Sequence, residues 1–418
     1  MTGSRLGTSA QRQLPKTLAP LAHGAFFAVW CSSLMFNLAA WMHIVSATWW
    51  MISTGQTAGH IALIPLCMNA PGVLLAIVSG VLCDRFGWRK VYLLAGSLFC
   101  LASGCIVAAF ARGMVTDAIL VVLTLGLGCA AALRQPALQA SFGALVPKEH
   151  LLEAIALDSL NLNLGRCFGP ALAGLLISVG GIRLGFAVTF LLSLPTIAVA
   201  FAVVDGRTPP AAGDAGFLPA LKEGARYCLR QAVLRRVYFL TFAFGALAQG
   251  IWVLVPVMFA VNKINNASTF GSVLSFIGGG AILGAALRSR LNRMAPPGKV
   301  LAYAVVLGCL APAALSVHAP LYLVAGALFG FGIAWTTLYS TAVFLTQTAS
   351  AASMKGRALS YYFTFAYLGW AFGSWLWGAA AAVLGVTTAS GASLALFCAL
   401  YLWTARQFSE DTTKLDTA

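Results

Sequence analysis

A chain of 418 residues that is 60% hydrophobic and only 9% charged lacks the polar surface of a water-soluble globule, in which about 25% of residues are charged. Its net charge of +15 would suit a nucleic-acid binder, but basic residues set between long apolar runs are the orientation signal of a membrane protein. Stretches such as Ala25 to Thr57 stay uncharged beyond the roughly 20 residues that span a bilayer core and show no alternation, which excludes a transmembrane barrel.

Residues 1–20 place Arg5, Arg12 and Lys16 among Ser, Thr, Pro and Gln and read as a disordered cytoplasmic tail. The apolar run behind them is too long for a signal peptide. Twelve apolar spans follow, near 24–49, 58–82, 91–110, 117–138, 153–179, 184–204, 236–260, 268–288, 299–316, 320–346, 357–384 and 388–407. They group into an N-terminal six-helix bundle over 21–204 and a C-terminal one over 236–407, with a second cytoplasmic tail at 408–418. The connector, 205–235, opens with Pro209, Pro210 and Gly213. From Phe217 to Arg230 it sets Leu218, Leu221, Ala225 and Cys228 at helical spacing opposite Lys222, Arg226 and Arg230. That pattern predicts an amphipathic helix, lying on the membrane surface or solvated as a connector. The expected fold is an all-α integral membrane protein, twelve helices in two pseudo-symmetric bundles.

With the N-terminus in the cytoplasm, nearly every Lys and Arg falls in an inner segment, Arg134 and Lys148 among them. Arg112, Arg183 and Lys263 fall outside, and Arg166 lies within a span. The positive-inside rule then predicts a multi-pass protein of the bacterial inner membrane with both termini cytoplasmic. The ten cysteines stand singly, without a CxxC pair, and read as small buried residues rather than disulfides or metal ligands. Trp49 and Trp50 fall where an outer aromatic belt would lie.

An offset of 204 residues brings Gly80 onto Gly284, Gly126 onto Gly330, Gly128 onto Gly332, Gly165 onto Gly369, Gly169 onto Gly373 and Gly174 onto Gly378. One ungapped register for all six pairs predicts a parallel internal repeat, with a binding site between the two halves.

The loop after the second span reads GVLCDRFGWRK, with Gly80, Asp84, Arg85, Gly87, Arg89 and Lys90. Gly80 allows a close helix contact, Gly87 a tight turn, and Asp84 suits the positive end of a neighbouring helix. The basic residues suit a clamp on carbonyl groups or lipid phosphates. This loop resembles the gating motif of the major facilitator superfamily; its repeat carries Arg288 where Asp84 stands. The resemblance extends over most of residues 21–405. Leu145 to Leu176, with Gly224, Tyr227, Trp252 before Pro256, KGRALSYYF and GSWLWG, resembles the branch holding the enterobactin exporter and the transmembrane secretion effectors. Many of its members export siderophores, macrolides and other drugs, and that resemblance, not composition, implies the direction of transport. Gly165, Gly169, Pro170 and Gly174 resemble the fifth-helix motif of antiporters, with Ala173 in place of one usual glycine; close packing alone explains them equally well.

Arg166 lies two turns beyond Asp158, and a charge near mid-bilayer costs on the order of 3 kcal/mol. It is expected to face a wet chamber and bind an anionic substrate group, or else to pair with a neighbouring helix or snorkel. Asn37, Trp41, Asn163, Trp252, Trp335, Tyr339 and Tyr362 are the other substrate-cavity candidates, forming an aromatic wall suited to bulky amphipathic molecules. Asp158 is the first candidate for proton coupling. Glu153 and His43 are further ones, unless Asp158 and Glu153 merely neutralise the N-terminal end of their helix and His43 is a hydrogen-bonding residue. The fourth-helix arginine of proton-coupled relatives would fall near Val122, so that element reads as absent, with Arg134 deeper toward the cytoplasm.

These readings predict a secondary active transporter, a proton-coupled exporter of a small amphipathic siderophore, macrolide or other drug, working as a monomer among membrane lipids by alternating access. An uptake carrier of the same fold is the alternative, a non-transporting receptor a remoter one. No HExxH, paired aspartates or phosphate-binding loop occurs, so neither an enzyme nor direct use of ATP is expected. Apart from the proton gradient, no metal, cofactor or nucleic acid is called for.

Overall fold

Two helices of this chain are too long to cross a membrane only once. In the computed structural model, which describes residues 15–203, 217–351 and 354–409, α6 (Leu151–Ala202) and α13 (Lys355–Ser409) run for 52 and 55 residues. Straight helices of that length would reach about 80 Å, against a hydrocarbon core of about 30 Å. Each breaks at one glycine, Gly181 (φ 75°, ψ 175°) and Gly385 (φ 76°, ψ 166°), in a region that side chains rarely enter.

Both helices turn back on themselves there. Trp30 donates to the Leu157 carbonyl near the start of α6. Arg89 donates to the Ala200 and Phe201 carbonyls at its far end, at 2.6 and 2.9 Å. Phe26, Trp88, Ala154, Leu157 and Ala200 accordingly share one apolar cluster. In the second half Tyr238 donates to the Ala358 carbonyl and Arg236 to that of Gln407. Gly181 and Gly385 stand in the same 204-residue register as the six glycine pairs.

The remaining elements are α1 (Gly24–Ser53), α2 (Ala58–Asn69), α3 (Gly72–Phe86), α4 (Trp88–Ala111), α5 (Asp117–Leu145), α7 (Phe217–Arg230), α8 (Ala232–Val261), α9 (Ala267–Met294), α10 (Pro297–Gly308), α11 (Leu310–Ser316) and α12 (Leu321–Thr348). Helices α2 and α3 follow one another through Pro71, and α10 and α11 through Cys309, so each pair makes one crossing. With α6 and α13 each crossing twice, the described residues form twelve crossings. A 3-10 turn, Lys16–Ala22, takes up residues that the sequence assigns to the tail. Polar caps start α5 and α9: Thr116 accepts from the Ile119 N–H and Asn266 from that of Thr269.

Matched glycines do matched work. A Cβ on Gly165 or Gly169 would strike Asn37 or Trp41 of α1, and one on Gly369 or Gly373 would strike Phe242 or Ala246 of α8. Gly174 faces Ala267 of α9, whereas Gly378 faces Ala62 of α2. These last two contacts join the halves, as do Gly271 against Pro170, Gly278 against Cys167 and Gly72 against Tyr367. All lie between mid-membrane and the face opposite the Arg89 clamp. Toward the clamp face, a Cβ on Gly80 or Gly356 would meet nothing within 4 Å. The halves are therefore joined closely at these points on the far side, and Gly80 makes no close helix contact, contrary to the expectation from its motif.

The motif loop is otherwise built as its residues suggest. Gly87 adopts φ 84°, and Arg89 binds the exposed carbonyls at the end of α6. The Asp84 side chain lies outside the described residues. Replacing Arg89 with Gln should lower stability by on the order of 1–2 kcal/mol through two lost charge-assisted bonds, read as a lower melting temperature in detergent. Trp49 and Trp50, half-buried where the sequence suggested an outer belt, also make contacts within the protein. Trp49 packs on Phe270 with centroids 5.7 Å apart, and Trp50 donates to Asp117 at 3.1 Å, because α1 ends among the far-side contacts.

Candidate functional site

Two buried arginines organise the interior. Arg134 is 2% exposed, in the middle of α5 and not in an inner loop. The helix runs through Pro136 to Leu145, so the residue expected near the cytoplasm sits inside a span. Its guanidinium lies 4.1 Å from the Phe36 ring centroid and donates to Ser33 and Asn37 of α1, both at 2.9 Å. The neighbouring Gln135 accepts from Arg134 at 3.5 Å and donates to Asp158 of α6 at 3.3 Å. Asn37 donates to Asn161 at 2.7 Å, and Asn161 to the Trp30 carbonyl at 2.8 Å. One polar network thus links α1, α5 and α6, and it holds a cation and a carboxyl group joined by an amide. Sequence reasoning missed Arg134 as a functional candidate. The available signal was the continuing apolar pattern of Ala137 and Leu138 beyond it.

Arg166 belongs to a different centre, at the meeting of the two halves. Its guanidinium lies 5.5 Å from the Trp41 ring of α1 and 5.3 Å from the Trp335 ring of α12, within cation–π range of both. Asn163 accepts from it at 3.4 Å. Trp41 packs on Trp252 of α8, with centroids 4.8 Å apart, and Trp335 stacks on Trp370 of α13 at 5.7 Å. Trp370 donates to the Tyr339 hydroxyl at 2.6 Å. Among the described residues no carboxylate pairs with Arg166. The arrangement provides one unbalanced positive charge between indole faces, with Tyr339 one turn further along α12.

The other sequence candidates separate around these centres. Asn37 belongs to the Arg134 network and not to the Arg166 cluster. Tyr362 is 2% exposed and donates to the Tyr339 carbonyl, so it braces the aromatic wall from behind instead of lining it. Trp41 packs on Trp252 and Trp335 on Tyr339, and the two pairs meet Arg166 from either half. His43 is fully buried against Thr124 at 2.9 Å, away from both arginines, and the Glu153 Oε2 atom is buried without a partner among the described residues. Gly165, Gly169 and Gly174 act as close-packing points, holding α6 between α1 and α9 so that Asp158 and Arg166 reach separate centres. No group of three metal-ligating side chains occurs among the described residues.

The profile of the transmembrane secretion effector family matches residues 15–416. The chain belongs to that family. As a transmembrane secretion effector of the major facilitator superfamily it is a membrane transporter, not an enzyme. It is similar to the enterobactin exporter EntS of Shigella boydii, 30% identical over 76% of each chain. It is also similar to the multidrug efflux pump Tap of Mycobacterium tuberculosis, 26% identical over 82% of this chain and 84% of that one. Among solved structures, the nucleoside transporter NupG superposes with a TM-score of 0.72 at 13% identity, over 92% of this chain and all of that one. A bacterial homologue of the lysosomal transporter Spinster, described as inward-facing and unoccupied, gives a TM-score of 0.67 at 13% identity over 95% and 98%. At these identities the likeness is one of fold, and this secretion effector shares the two-bundle architecture with both.

Proposed function

We propose that this protein exports a small amphipathic molecule across the bacterial inner membrane, both termini cytoplasmic, in exchange for protons. The observation that carries the reading is the pair of separate buried centres: an unbalanced arginine among indoles between the halves, and an Arg134–Gln135–Asp158 relay within one half. The similarity to a siderophore exporter and a drug pump supports the direction and the substrate size. Arg166 receives an anionic group of the substrate, and Trp41, Trp252, Trp335 and Tyr339 receive its apolar body.

Asp158 is the proton carrier in this scheme, and Gln135 transmits its state. The amide of Gln135 has one accepting and one donating end. While Asp158 is ionised, Gln135 donates to it and accepts from Arg134. A protonated Asp158 presents a donor, and an amide turned to accept from it faces Arg134 with its own N–H groups. Arg134 then loses that bond while still holding Ser33 and Asn37, so proton binding on α6 is felt on α1.

Inverted vesicles energised by respiration and loaded with a pH-sensitive dye test this reading against a panel of siderophores and lipophilic drugs. A transported compound should dissipate the proton gradient in wild type and not in Asp158→Asn, which should still bind it. Gln135→Leu should slow proton-coupled transport about tenfold, the cost of roughly 1.4 kcal/mol of lost coupling. Substrate-driven proton movement persisting in Asp158→Asn would remove Asp158 from the coupling step.

A further inference from the structure

The connector helix and the start of α8 present three arginines that no acid among the described residues balances. Helix α7 docks on the C-terminal half through Gly224, which lies against Tyr361 and Arg357, and through buried Cys228 beside Tyr238. Glu223 is engaged by Arg357 at 2.7 Å, and the Tyr227 hydroxyl accepts from the Ala351 N–H and from Gln231. These contacts turn the opposite side of α7 outward, where Arg226 and Arg230 are exposed one turn apart with Leu229, 56% exposed, between them. Arg235, exposed at the start of α8, donates to the Leu229 carbonyl at 3.3 Å. Its guanidinium therefore lies at the C-terminal end of α7, where Arg230 also stands and the helix dipole favours cations. None of the three pairs with a carboxylate among the described residues.

One turn beyond Arg235 on α8 the surface becomes apolar. Phe239 is 48% exposed and packs on Trp403 of α13 at 4.7 Å, and Leu402, next to Trp403 in the chain, is 56% exposed. The patch thus has a cationic end at the membrane boundary and an apolar end along the membrane-spanning helices.

We propose that this patch is a binding site for an anionic phospholipid of the adjoining leaflet, its phosphate over Arg226, Arg230 and Arg235 and one acyl chain along Phe239 and Trp403. Guanidinium groups bind phosphate through paired N–H donors, clustered cations near a membrane surface select anionic lipid, and the aromatic pair distinguishes a lipid from a free anion. The site is separate from both interior arginine centres and does not depend on the identity of the transported molecule.

Native mass spectrometry of the purified full-length protein, released from detergent with added phosphatidylglycerol or phosphatidylethanolamine, tests the site. Wild type should retain phosphatidylglycerol at least about tenfold more strongly than phosphatidylethanolamine. The triple variant Arg226→Gln, Arg230→Gln, Arg235→Gln should lose that preference, and Phe239→Ser should weaken retention of both lipids while keeping the preference for phosphatidylglycerol. Equal retention of the two lipids by wild type overturns the proposal even if the triple variant does not fold. Undiminished preference in the triple variant, or phosphate displacing the lipid at equal concentration, also overturns it.

Discussion

Replacing Arg166 with Ala is expected to reduce export of an anionic substrate at least about 100-fold, corresponding to roughly 3 kcal/mol for a charge-assisted bond made away from water. The arginine has no carboxylate partner of its own among the described residues, and in the proposed scheme the substrate anion balances it. Arg166→Lys should give an intermediate loss, because an ammonium keeps the charge but cannot lie flat between Trp41 and Trp335. Initial efflux rates in proteoliposomes, normalised to folded protein by gel filtration, provide the measurement. An unchanged rate for Arg166→Ala would take this residue out of the substrate site.

Placing Leu at Gly278 should also nearly abolish transport, for a conformational reason. A Cβ there would stand 2.3 Å from the Cys167 Cα atom, and backbone on a packed helix cannot move aside as a side chain can. Helices α6 and α9 must separate, at a cost of about 1–3 kcal/mol for overpacking. That is comparable to the few kcal/mol that separate two conformations of a carrier. The seal between the halves should open, so a cysteine placed at Ser268 in an otherwise cysteine-free background should react faster with a membrane-impermeant maleimide. Leu at Gly332 provides the contrast. That glycine packs against the Ile277 carbonyl within one half, and Gly280 packs against that of Phe329, so the expected result is loss of folded protein. Slow labelling at position 268 in Gly278→Leu, with normal transport, would show that the contact does not control the seal.

The two positions illustrate how far glycine periodicity can be read. The 204-residue register pairs residues that do the same work in each half, and it extends to the hinges Gly181 and Gly385. Gly80 departs from that pattern: its mate Gly284 packs on Ile333 within the second half, whereas a Cβ on Gly80 would meet nothing within 4 Å. Similarly, the GVLCDRFGWRK loop announces a turn and a set of cations, but the carbonyls that Arg89 binds come from residues more than a hundred positions away.

Length, hydropathy and the spacing of glycines are local or periodic properties, so the twelve crossings, the repeat, the connector helix over Phe217–Arg230 and the family resemblance are all legible in the order of the amino acids. Partner choice is not local. Whether a polar side chain meets lipid, water or another helix depends on the rotation of its helix and on what packs across from it. Packing in three dimensions was therefore needed to place Arg134 inside a network with Asn37 and Asp158, to separate that network from Arg166, and to give Trp49 and Trp50 their contacts within the protein. The same packing put Tyr362 behind the aromatic wall, because close approach at Gly165, Gly169 and Gly278 sets which faces of α1, α6 and α9 are left to meet anything else.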